Sequence, residues 1–515
     1  MTRTLFDEMQ APVRPRWQRA ALVSALVLAG VWLSWWNGLI PGRTLLSASG
    51  NDTRPKIAVL PIESASARSE DRAFAAAMHA QLIEELNSIA SIVVMDGRAM
   101  NEYRGSTKTR AQVASELDAT YVIDAELAAA GGRVRINAGL YDHTGNHLWS
   151  DPFEGELREV FSLQADLARA ITRRIEAVLT PAEGVRLSDR APVDARAFNA
   201  YALGRLHFEM GGPFRAVSFD SAQKLLVSAA ERLTRAVQID STFALGWAYL
   251  ARALHWRASG MVKPNLADSL YALAEQAGQR ALRSDAQEAV AWAALGFVYE
   301  RTWRFREAGD AYQSMLRANP NADTWGLAIH YRDIGRLEDA ANAFREARIR
   351  DPNSLLLQQQ YGLMLSCVNR YEEALPLVEP DVVAPLGFPA RSLRARVFLK
   401  QGRYVEAVHD FEAQLRPRDL PPPYMSYAYA RIGQPAKARA AVRAREAAGE
   451  RSFIDDLAIG DTSALLSRLE TMIATRNQGL LNLRCSEALP DLLAIPEARA
   501  ILKTMDLPRN PARAP

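Results

Sequence analysis

Three kinds of hydrophobic patterning follow one another along this 515-residue chain. The first is an uncharged apolar run, Ala20 to Ile40. At about 1.5 Å per residue its roughly 21 positions span about 30 Å as a helix, enough for one bilayer crossing. The second kind, over residues 53–182, alternates short apolar runs with stretches whose apolar side chains return at helical spacing. The third, over residues 194–450, is helical and repeats itself.

The flanks of the apolar run set its expected orientation. Arg14, Arg16 and Arg19 precede it, and only Arg43 follows closely. Trp32, Trp35 and Trp36 lie near its far end, where amphipathic rings suit the headgroup level. The excess of positive charge on the amino-terminal side predicts a cytoplasmic tail (1–19), a transmembrane helix (20–40), a linker (41–52) and an exported remainder. A cleaved signal peptide is the alternative, with small residues at Leu45 to Gly50. The charged leader and the apolar run are both long for one.

Within residues 53–182, "KIAVLPI" and "SIVVMD" read as buried strands. Phe74, Met78, Leu82, Ile83 and Leu86 keep helical spacing between them. "TRAQVASELDA" reads as a second helix with Thr109 as its N-cap. Three strands follow, joined by turns at Gly131-Gly132 and at Thr144-Gly145-Asn146, and then a third helix, "VFSLQADLARAITRRIEAVL". The pattern predicts a small α+β domain. In order and spacing these segments resemble the TolB-amino-terminal-like domain of bacterial membrane proteins. The resemblance implies a fold and an architecture, a transmembrane helix before the domain and tetratricopeptide repeats after it. Some members of that family carry a cytoplasmic adenylate-cyclase or winged-helix domain before the helix. Met1 to Arg19 is too short for either.

The third region shows its period most clearly in one copy, where Trp292, Leu295, Gly296, Tyr299, Ala308, Tyr312 and Pro320 fall on the 34-residue tetratricopeptide pattern. Leu327, Ala328, Tyr331, Gly335, Ala340, Phe344 and Pro352 form the next. About seven copies are countable, with proline-rich breaks at Pro376 to Pro389 and Pro417 to Pro423. Residues 451–508 leave the pattern and read as a helical cap, and 509–515 as a disordered tail. The predicted fold class is therefore multidomain: one amino-terminal transmembrane helix, a small α+β domain and an all-α tetratricopeptide solenoid.

Composition narrows the function. A net charge of +3 gives no basic field for nucleic acid, so no direct nucleic-acid partner is expected. Phosphate-loop, zinc-protease and nucleophile-elbow motifs are absent from the sequence. No catalytic, cofactor or metal residue is assigned. Cys367 and Cys485 lie far apart and form no metal-ligand spacing. Cys367 reads as a packing residue, and Cys485 as packed or free. The first helix of each repeat is expected to line a concave, peptide-binding surface, which places Arg252, Phe297, Glu300, Trp325, Ile329, Arg332 and Arg396 in a groove. Phe297 and Trp325 packing between repeats is the competing reading. The expectation is a bacterial inner-membrane protein, anchored in the bilayer through Ala20–Ile40, that binds a protein or peptide on the periplasmic side as a scaffold or sensor. The alternative is a signalling component acting through a separate cytoplasmic partner.

Overall fold

The computed structural model describes residues 53–505, apart from 65, 67, 131, 187–191, 213–218, 260–263, 381–389 and 417–418. The expected tail, membrane helix and linker lie outside the described residues, as does the tail at 509–515. Among the described residues no helix is long and apolar enough to cross a membrane. From Arg54 onward the chain is one compact unit.

The α/β region holds β1 (Lys56–Val59), β2 (Glu63–Ser64), α1 (Ser69–Asn87), β3 (Val93–Val94), α2 (Gly97–Asn101), α3 (Arg110–Leu117), β4 (Tyr121–Ala130), β5 (Arg133–Asp142), β6 (His147–Glu156), α4 (Val160–Arg174) and α5 (Pro181–Arg186). The sheet order is β3-β1-β4-β5-β6, with β2 paired to β4. β1 runs parallel to β3 and β4, while β4, β5 and β6 form an antiparallel meander. Alternation in β5 sends Val134, Ile136, Ala138 and Leu140 inward. α1 and α4 cover the sheet with Met78, Leu82, Leu86, Leu167 and Ile171, all buried. Thr109 caps α3 through a reciprocal bond pair with Gln112. β2 and α2 escape pattern reading because two and five residues are too few for a period to repeat.

Seven helix pairs follow: α6 (Ala195–Gly211) with α7 (Phe219–Ile239), α8 (Ala244–Ser259) with α9 (Pro264–Ser284), α10 (Ala289–Arg301) with α11 (Phe305–Ala318), α12 (Trp325–Asp333) with α13 (Leu337–Arg350), α14 (Leu355–Cys367) with α15 (Tyr371–Ala374), α16 (Ala390–Lys400) with α17 (Tyr404–Gln414), and α18 (Pro423–Arg431) with α19 (Pro435–Ala447). The repeat positions explain the spacing. A Cβ on Gly296 would lie 2.7 Å from the Tyr312 ring, and one on Gly326 2.7 Å from Phe297, so both helices approach only because glycine stands there. Within five successive pairs one residue takes a left-handed conformation: Trp303, Gly335, Asn369, Gly402 and Gly433. The following N–H bonds five residues back, as from Arg336 to Tyr331 and from Arg403 to Phe398, closing the first helix of each pair.

Two features go beyond the pattern. First, the α/β region and the early repeats share one hydrophobic core running from Ile57 to Val298. α1 lies against α6, and the rings of Phe74 and Phe161 meet Phe198 edge-on at 5.3 and 5.5 Å. Each such aromatic pair contributes about 0.5–1.5 kcal/mol beyond the area it buries. The Asn321 amide donates to the carbonyls of Asn87, Ile89 and Ile92, tying the end of α1 to the loop between α11 and α12. Second, the carboxy-terminal segment does not stay at the far end. α20 (Phe453–Ile459), α21 (Thr462–Ala474), the 3-10 stretch Gln478–Cys485, α22 (Leu489–Ala494) and α23 (Pro496–Lys503) turn back along the solenoid. Gln478 reaches the Arg301 carbonyl and Arg484 the Ile334 carbonyl. A cap over the last repeat would have no reason to touch residues 301 or 334. Here Leu465, Leu469, Leu480, Leu481 and Leu483 form a satellite core with Phe305, Trp303 and Ile334. A disulfide joins Cys367 to Cys485, Cα atoms 5.3 Å apart across 118 residues of sequence. Cys485 is therefore bonded rather than free.

Candidate functional site

The first helices α8, α10 and α12 carry a strip of partly exposed side chains between the α/β region and the returning carboxy-terminal segment. Residues four apart on a helix share a face. Arg252 and Trp256 stand so on α8, Phe297 and Arg301 on α10, Trp325 and Ile329 on α12, with Arg332 one turn on. Three rings bind these helices together: Trp256 to Phe297 at 6.0 Å, Phe297 to Trp325 at 5.7 Å and Trp256 to Trp325 at 5.9 Å. Each of the three keeps part of its surface open. Beneath them lie His255 and Tyr312, both buried. Burial and the neighbouring Arg301 and Arg252 charges hold the His255 pKa well below its ordinary value, so it stays neutral.

The strip is cationic. Arg252 lies over the Phe208 and Tyr249 rings at 4.8 and 5.2 Å, and among the described residues neither it nor the Arg301 side chain has a carboxylate partner within salt-bridge distance. Arg332 pairs with Asp333 at 2.7 Å and remains partly exposed.

Of the seven residues expected to line a groove, Arg252, Phe297, Trp325, Ile329 and Arg332 come together here. Two do not join them. Glu300 is buried and accepts from His330 Nδ1 at 2.7 Å, bracing α10 against α12. Burial raises its pKa, opposed by the His330 hydrogen bond. The helical register aimed it one residue too far round. Arg396 lies on α16 beneath the returning segment, bonded to fully buried Glu487 at 3.2 Å and stacked on Tyr424 at 4.8 Å. Nearby, Lys400 bonds the Cys485 carbonyl, and Tyr427 and Arg431 each bond Asp491 at 2.8 Å. That part of the inner face is filled by the chain itself. Trp256 and Arg301 were missed, although each stands four residues after a predicted position.

The chain matches no family model. Over 174 residues it is 30% identical to a protein from Rhizobium meliloti (strain 1021) named putative adenylate cyclase 3, a match covering 34% of this chain and 29% of that one. The chain thus aligns with under a third of that relative's length. Among solved structures it is similar to a tetratricopeptide repeat protein from Parabacteroides merdae (17% identity, 50% of this chain and 98% of that one, TM-score 0.35). It is also similar to yeast Tom70 (11%, 69% and 84%, TM-score 0.34) and to a chain of the Cut9-Hcn1 assembly of the APC/C (14%, 85% and 84%, TM-score 0.36).

Proposed function

We propose that this protein is a membrane-anchored, exported interaction module whose inner strip holds an extended acidic segment of a partner protein. The observation that carries the reading is the juxtaposition of three partly exposed aromatic rings with Arg252 and Arg301, neither of them neutralised by a carboxylate among the described residues. Aromatic and arginine side chains dominate protein interfaces because they bury large area at small entropic cost and bond carboxylates in a fixed geometry. The strip has two walls, the α/β region at the Asp323–Arg98 contact and the returning segment at Gln478, so it takes a narrow chain rather than a broad face. Anchoring rests on the apolar run at 20–40 and its arginine flank. The Cys367–Cys485 bond supports an oxidising side of the membrane.

Arrayed peptides probed with the detergent-solubilised full chain test this. Acidic peptides containing aromatic residues are expected to bind and basic ones to fail. Trp325→Ala is expected to weaken binding by about 2 kcal/mol or more, the scale of an interface hot spot. Arg301→Glu, which disturbs no packing ring, is expected to abolish it. Equal binding of basic peptides, or binding indifferent to Arg301→Glu, overturns the reading.

The 174-residue likeness to a protein named as a cyclase supports a second reading, in which the same module reports to a cytoplasmic partner through residues 1–19. Deleting residues 2–13 is then expected to abolish a transcriptional or second-messenger response while insertion persists. An unaltered response removes this reading and leaves the first intact.

A further inference from the structure

A partly open cleft lies between the α/β region and the early repeats. Its volume is about 410 Å³, and α1, β3 and α2 line one side while α6, α8, the loop before α12 and the end of α13 line the other. Cavities of several hundred Å³ with a few convergent polar groups are the usual size of a small-molecule site. Most charges in this one are already answered. Arg205 bonds Glu209 at 2.9 Å and the Tyr201 hydroxyl at 2.9 Å. Arg98 holds Asp96, Asp323 and Asp351. Arg350 bonds the Asn321 carbonyl and Thr324.

Two charges are not. Glu84, partly exposed on the α1 wall, makes no side-chain hydrogen bond or ion pair among the described residues, and burial raises its pKa while Arg205 and Arg252 pull the other way. Arg252 lines the same cavity, its Nε buried without an acceptor and its guanidinium lying over the Phe208 and Tyr249 rings. A carboxylate and a guanidinium that share a cavity, close enough to feel each other's charge yet unbonded, leave room for something between them.

We propose that this cavity binds a small zwitterion, a free amino acid or a dipeptide, with its carboxylate on Arg252 and its ammonium on Glu84. The lining excludes simpler ligands. Acidic side chains outnumber guanidiniums along the wall, which disfavours a bare anion such as phosphate. A bare cation leaves Arg252 unanswered. A zwitterion meets both unpaired charges at once, and each new bond is a charge-assisted one in a concave, partly desolvated site. The site is separate from the aromatic strip, although Arg252 borders both.

Calorimetric titration of the full chain in detergent tests the proposal. The probes are the twenty protein amino acids and glycylglycine, with acetate and methylammonium as single-charge controls. At least one zwitterion is expected to bind saturably at one site per chain, and neither control to bind at the same concentration. Glu84→Gln removes the charge without changing shape, so it folds, and is expected to weaken binding by about tenfold or more, the ratio equal to 1.4 kcal/mol. Trp325→Ala is expected to leave the zwitterion's affinity unchanged, which separates this site from the peptide strip. No binding by any zwitterion, equal binding by a control, or binding unchanged in Glu84→Gln overturns the proposal.

Discussion

Breaking the Cys367–Cys485 bond is expected to free the returning segment and to cost the carboxy-terminal half of the solenoid about 2–5 kcal/mol. The bond closes a loop of more than a hundred residues, and a cross-link over a loop of about that length removes roughly 4–5 kcal/mol of chain entropy from the unfolded state. Its Cα separation of 5.3 Å is ordinary for a disulfide. Of the remaining ties, the Asp491 bonds to Tyr427 and Arg431 are partly exposed and contribute less, while Arg396 holds the buried Glu487 carboxylate. Hydrogen exchange with and without reductant, and on Cys367→Ser, reads the effect. Exchange is expected to rise over 478–494 and along α16, while the sheet stays protected. Unchanged exchange there refutes the brace. Alkylation of denatured protein taken from its own cells adds a check on compartment, because two free thiols would contradict both the pairing and export.

Arg98→Ala is expected to loosen the α/β region against the repeats at a cost of about 1–3 kcal/mol, the scale of hydrogen bonds to charged groups, since Arg98, Asp96 and Asp323 are partly exposed. Arg98 lies 2.8 Å from Asp96, 3.2 Å from Asp323 and 3.5 Å from Asp351. Removing it leaves three carboxylates facing one another. Asp351 already feels the strain: burial first, then the Asp96 charge, pushes its pKa up to about 7, with Arg98 pulling down and Asp323 and Glu102 adding to the rise. A carboxyl raised in the folded state keeps its proton there while the unfolded chain has lost it. Its contribution is therefore full near pH 4 and declines as pH rises to about 7. Asp323, whose pKa is lowered by Arg98 against the cost of burial, acts oppositely but only at pH below its ordinary value. Thermal melts are expected to show the docked state losing on the order of 1–3 kcal/mol between about pH 5 and pH 8. Asp351→Asn is expected to flatten that slope and to exceed the parent at the alkaline end. A parallel slope in Asp351→Asn assigns the pH dependence elsewhere.

What the sequence disclosed and what it hid divide by distance along the chain. Trp292, Gly296, Tyr299, Ala308 and Tyr312 announced a helix pair because their partners lie within one repeat. Thr109 announced a cap because Gln112 is three residues away. The strands at Lys56 and Ser91 were legible as short apolar runs, although their parallel pairing was not. The inner face was legible only as a face. Which stretches of chain would fill it depended on Asn321 meeting Asn87, Arg98 meeting Asp323, and Cys367 meeting Cys485, all of them contacts over more than a hundred residues. Local periodicity carries no signal for such pairs. Arg396 was misplaced for that reason, whereas Glu300, whose partner His330 stands one repeat away, was misplaced by helical register.

A stack of helix pairs touching only its neighbours is elastic and opens or tightens like a coil spring. Here the α/β region clasps one end of the curve, and the disulfide-held return stroke clasps the other. With both ends pinned, the pitch is preset: an incoming chain meets a finished shape and forfeits little freedom in fitting it. Any motion of the strip must then come as a tilt of one clasp against the coil, not as a stretch along it.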